Sequence, residues 1–103
     1  MSRIDKIKEM LAQSGRDSFL EHALALEYLK IDKKQEALDV FTTLLERDSV
    51  YLGSYYHLGK LYETMGQTQT AMDTYEKGMK LAKSVKDMHS FNELRSAYDD
   101  LMG

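Results

Sequence analysis

An all-α fold built from antiparallel helix pairs, about six helices in all, is what this sequence predicts, on three observations. The chain of 103 residues has no Pro, and its six Gly are scattered. Leu, Ala, Glu, Lys, Met and Gln are plentiful, residues that lose little side-chain freedom in a helix, and strand-like alternation is absent. Most informative, the chain repeats itself. Leu24-Ala25-x-x-Tyr28, Ala37 and Phe41 are answered thirty-four residues on by Leu58-Gly59-x-x-Tyr62, Ala71 and Tyr75, with no gap between the copies. A fixed period of that size marks an array in which neighbouring units bury one another's apolar faces.

The elements follow in order. Residues 2–14 place Ile4, Ile7, Met10 and Leu11 on one helical stripe. Ser2 with Asp5 suits the start of that helix, and Gly15 suits a left-handed stop. Ser18-Phe19-Leu20-Glu21 reads as a capping box, in which the serine oxygen takes the Glu21 amide and the carboxylate reaches back. This second helix runs to about Lys30 with Leu20, Leu24 and Tyr28 inward. A tight turn at Ile31-Asp32-Lys33 leads to a third, Lys34 to Arg47, with Ala37, Leu38, Phe41, Leu44 and Leu45 on its apolar face. Asp32 stands where the second copy has Gly66, and both types tolerate turn geometry. A fourth helix covers Tyr51 to Met65 and a fifth Thr68 to Val85. The sixth, Met88 to Leu101, has two candidate starts, Asp87 or Ser90 boxed with Glu93.

The repeat has a mechanical reading. Ala25, Gly59, Ala37 and Ala71 let paired helices approach closely, while Tyr28, Tyr62, Phe41 and Tyr75 fill the volume between pairs. Small residues set distance and rings set register.

These residues resemble the tetratricopeptide repeat, whose signature is an aromatic, Leu-Gly, Tyr, Ala and a second aromatic within one repeat. The copy at 52–85 matches best, through Tyr55, Leu58, Gly59, Tyr62, Gly66, Ala71 and Tyr75. The copy at 18–51 keeps Leu24, Ala25, Tyr28, Ala37 and Phe41 but opens on Glu21, with Leu20 beside it, where the aromatic belongs. Where the family often has Pro, Ser49 and Lys83 stand. Phe91-x-x-Leu94-x-x-x-Tyr98 echoes Tyr55-x-x-Leu58-x-x-x-Tyr62 at a spacing of thirty-six, so the helix before it is expected to be lengthened near Lys86-Asp87. The expected organisation is one domain, 1–103: a half-repeat helix 2–14, repeats 18–51 and 52–85, and a C-terminal capping half-repeat 88–101. The resemblance implies a right-handed α-solenoid and a small stand-alone protein of bacterial type.

Composition excludes several classes. The formal net charge is −3, from 14 basic and 17 acidic residues interspersed along the chain, without the basic surplus that nucleic-acid binding needs. No apolar run approaches the roughly 20 residues that cross a bilayer. The N-terminus turns polar every few residues, unlike a signal peptide. Absence of Cys removes disulfides, thiolate metal sites and cysteine nucleophiles. A cytoplasmic protein without membrane or nucleic-acid partners is expected.

The resemblance further implies a concave groove lined by the first helices of successive repeats. Carried onto this chain, its wall is Phe19, His22, Leu26, Tyr56, His57, Lys60, Asn92 and Ser96, and its ligand is a peptide or protein segment. One subset of the family grips the C-terminal carboxylate of chaperones through Lys, Asn and Arg. The matching places here hold His22, Leu26, His57, His89 and Glu93, and the carboxylate would repel that ligand. The three His fall on different helices, so no metal site or other cofactor is expected. No nucleophile elbow, phosphate loop or paired carboxylate appears, so an enzyme is not expected. The alternative function is a homo-oligomeric scaffold joined through its terminal helices, by Tyr98, Leu101 and Met102 at one end and Ile4 or Ile7 at the other.

Overall fold

A computed structural model describes residues 2–103. It contains six helices: α1 Arg3–Ser14, α2 Ser18–Lys30, α3 Lys34–Arg47, α4 Gly53–Thr64, α5 Thr68–Ser84 and α6 Met88–Met102, with no strand among the described residues. They fall into two compact units, the first ending at Ser49 and the second running from Val50 to Gly103.

In the first unit, α1 packs on α2 and α2 on α3. Ile7, Leu24, Ala25, Ala37, Phe41 and Leu44 form the core, as their helical spacing requires. Ile7 is only 4% exposed, so it is not available as the end-to-end contact expected of it. The Ser2 Oγ accepts the Asp5 amide at 3.1 Å, and Gly15 ends α1 with φ 77°.

The capping box expected at Ser18 does not form. Asp17 caps α2 instead, its carboxylate accepting the Leu20 amide at 3.0 Å. The reason lies in Glu21, which is buried and accepts from Arg16 at 2.9 Å and from Arg47 of α3. Two guanidinium groups outcompete one backbone amide for the carboxylate, because charge-assisted bonds are the stronger ones. Ser18, freed from capping, donates to Asp48 at 2.5 Å. Glu21 therefore occupies the place where the second copy has Tyr55, and it satisfies that buried position by ion pairing rather than by ring packing.

In the second unit, α4 and α6 each pack on α5, and α4 also touches α6. The core is Tyr55, Leu58, Leu61, Ala71, Tyr75, Ala82, Leu94 and Ala97. α4 begins two residues after the expected Tyr51, since Ser54 and Tyr55 bond back only three residues, to Tyr51 and Leu52. α5 has 17 residues against 14 in α3, the lengthening expected before Asp87. The start of α6 is settled by Asp87, whose carboxylate takes the Ser90 amide at 3.1 Å and the Ser90 hydroxyl at 2.7 Å.

Three helices close on the same motif. Lys33 N–H donates to Tyr28, Gln67 N–H to Tyr62 and Asp87 N–H to Ala82, each at 2.9 Å. The residue before each donor, Asp32, Gly66 or Lys86, is left-handed with φ of 60°, 78° or 61°. This is the Schellman arrangement, which satisfies carbonyls orphaned at a helix end. Of the four rings expected to fill the volume between helices, Phe41 and Tyr75 are fully buried, whereas Tyr28 and Tyr62 are half-buried.

Candidate functional site

In the second unit the site is built on Gly59. Because residue 59 has no Cβ, the Tyr75 ring comes directly against the α4 backbone, and a Cβ there would meet Tyr75 Cε1 at 2.2 Å. Tyr75 is fully buried, and its hydroxyl donates to the Glu63 carboxylate one turn along α4. Burial first, and then this carboxylate, hold the Tyr75 phenol far above the ordinary tyrosine range, so it stays a neutral donor. The first repeat has Phe41 and Leu29 at the equivalent positions, neither of them polar.

Tyr56 lies against Tyr75 with ring centroids 6.4 Å apart, and the Lys60 ammonium stands 5.7 Å over the Tyr56 ring. Lys60 is also 3.7 Å from Glu63. Between this face of α4 and α6 lies an open cleft of about 380 Å³, lined by Tyr56, Lys60, His89, Asn92, Glu93, Ser96, Ala97 and Asp100. Four of the eight residues expected in a groove, Tyr56, Lys60, Asn92 and Ser96, are thus brought together.

His57 is not part of that lining. Burial lowers its pKa, while the charge of Glu93 works in the opposite direction, so the ring is neutral at pH 7. His89 and Glu93 face each other at 3.8 Å on α6.

Phe19, His22 and Leu26 stand on α2 in the first unit. Phe19 is 68% exposed, while His22 and Leu26 are half-buried. His22 packs edge-on to Phe41, at 5.8 Å between centroids, so part of its ring serves the core. A second hollow in this unit is lined by Met10, Gln13, Ser14, Asp17 and Leu20 and contains none of the expected groove residues.

Sequence reasoning missed two positions. Asp100 belongs to the cleft because it stands seven residues, two helical turns, after Glu93 and so shares its face; continuing that stripe would have found it. Gly78 was passed over, although a Cβ there would meet Leu94 Cδ1 and Tyr55 Cβ, both at 2.9 Å. Its signal was present: Leu44 stands thirty-four residues earlier, so the repeat had exchanged a large residue for the smallest. Among the described residues no three His, Asp or Glu side chains converge as metal ligands. No described helix is long and apolar enough to cross a membrane.

Paired helices, a small residue beneath a buried ring, and a cleft between the first helices of successive pairs define an all-α helical repeat. The tetratricopeptide repeat family model matches residues 52–85. Among solved structures, the crystal structure of a tetratricopeptide repeat domain protein from Salinibacter ruber is 42% identical. It matches with TM-score 0.81 over 84% of this chain and 98% of its own. The solution structure of a protein from Bordetella parapertussis is 24% identical, TM-score 0.86, over 99% and 89% of the two chains. The TPR2B domain of yeast Sti1, solved as a complex with pHsp70, is 16% identical with TM-score 0.88 over 96% and 79%. Nothing matches among curated proteins. This chain belongs to the tetratricopeptide repeat family.

Proposed function

We propose that this protein is a non-enzymatic adaptor that holds a segment of another protein. The cleft between α4 and α6 is the receiving surface in the second unit, and within the first unit Phe19, His22 and Leu26 on α2 are the residues assigned to contact a partner. The observation that carries this reading is the gathering of Tyr56, Lys60, Asn92 and Ser96 along one open cleft. An aromatic floor with polar walls suits a peptide, since aromatics supply much of the contact energy at interfaces and polar groups fix orientation. The pHsp70 complex of a fold neighbour supports the same reading. In this proposal repeats 18–51 and 52–85 form the working array, the flanking helices cover its ends, and the protein acts in the cytoplasm.

Site-specific photo-crosslinking tests it. A crosslinker at position 56 or 96 is expected to capture a discrete partner in the native host, and one at Lys77 on α5 is not. Equal capture from all three positions would remove the cleft from the proposal.

A second reading, self-assembly, is favoured by Met102, 64% exposed at the end of α6. Light scattering across a concentration series decides it: a strict monomer at high concentration ends that reading.

A further inference from the structure

The lining of the α4–α6 cleft has an unequal charge balance. Lys60 is matched by Glu63 at 3.7 Å. Among the described residues Glu93 pairs with no lysine or arginine, only with imidazoles, His89 at 3.8 Å and His57 within reach of its charge, and no ion pair reaches Asp100. Asp100 lines the same cleft as Tyr56, which puts a second carboxylate on the surface that holds the aromatic ring. That ring accepts cations: the Lys60 ammonium already stands 5.7 Å over Tyr56. Two exposed carboxylates flanking an aromatic surface are complementary to guanidinium groups, which pair bidentately with carboxylates and stack on rings.

Spacing adds a constraint. Glu93 and Asp100 share a helix face two turns apart, and a helix rises about 1.5 Å per residue, which places them about 10 Å apart along α6. A polyproline II segment rises about 3.1 Å per residue with three residues per turn, so side chains three apart share a side about 9 Å from each other. Resting on the adaptor reading above, we infer that the cleft receives an extended, proline-bearing segment of a partner protein with two arginines three residues apart. One arginine meets Glu93 and the other Asp100. An acidic tail or a nucleic acid is disfavoured by the same two carboxylates.

The test uses the whole 15N-labelled chain and three blocked peptides. The first is acetyl-Ala-Arg-Pro-Ala-Arg-Ala-amide, the second carries Glu for both Arg, and the third places the two Arg side by side. The first is expected to shift the amides of Tyr56, Asn92, Ser96 and Asp100, and to bind more tightly than the others. Glu93→Gln and Asp100→Asn should each weaken it about two- to five-fold, the range of exposed charge pairs. Both positions are exposed, so circular dichroism should be unchanged. If the Glu peptide shifts the same amides equally, or the double variant binds undiminished, the arginine assignment is overturned while the cleft survives. Equal binding of adjacent arginines overturns the spacing. If no peptide shifts these amides, or shifts fall on α5 alone, both this inference and the adaptor reading fail.

Discussion

Tyr75 occupies the space that a side chain at Gly59 would need, its Cε1 only 2.2 Å from where a Cβ would stand. The buried phenol is held in that position by its bond to Glu63, so it has little freedom to give way. Gly59→Ala should therefore cost about 1–3 kcal/mol through overpacking, more than offsetting the helix propensity gained. In the first repeat Ala25 coexists with Phe41, where no hydroxyl is tethered. The cost of Gly59→Ala should accordingly shrink in a Tyr75→Phe, Glu63→Leu background. Urea denaturation of the full mutant cycle measures the coupling.

Removing one guanidinium from Glu21 leaves a buried carboxylate dependent on Arg16 alone. Arg47→Ala is expected to cost about 1–3 kcal/mol, the range for an under-satisfied buried group. Arg47→Ala combined with Glu21→Leu should recover much of that loss. Equal stability of Arg47→Ala and the parent chain would show that the pair contributes nothing.

Acid should weaken the fold through His57. Its pKa is lowered in the folded chain, so between that value and the ordinary 6.5 the unfolded chain binds more protons. Stability is therefore complete above about pH 6.5 and declines as pH falls, by at most about 1.4 kcal/mol per pH unit from this group. Comparing urea midpoints at pH 7.5 and 5.5, the parent should lose more than His57→Gln.

Left-handed turns give a prediction of opposite signs. Lys86 holds φ 61° although it carries a Cβ, so Lys86→Gly should stabilise by about 0.5–1 kcal/mol. Gly66 has φ 78° and open space around its absent Cβ, so Gly66→Ala is penalised by backbone strain alone, about 1–2 kcal/mol. Thermal melts at matched pH distinguish the two.

Helix order and the apolar faces were legible because each depends on short spacings repeated along the chain. Asp32 and Gly66 could be matched as turn residues for the same reason. The second helix does start at Ser18, but its cap was misread because Arg47, twenty-nine residues away on another helix, competes for Glu21. Half of the cleft lining came from the family resemblance, while Asp100 required following the Glu93 face two turns further along α6.

The matched sets Ala25, Leu29, Phe41 and Gly59, Glu63, Tyr75 also bear on how such a gene tolerates rearrangement. Exchange of thirty-four-residue blocks broken between units would carry each set intact. A break at the hairpin bend, near Asp32 or Gly66, would unite a tyrosine hydroxyl with a leucine, or strand a glutamate opposite a phenylalanine. Viable recombinants of this sequence should have their junctions clustered outside the bends.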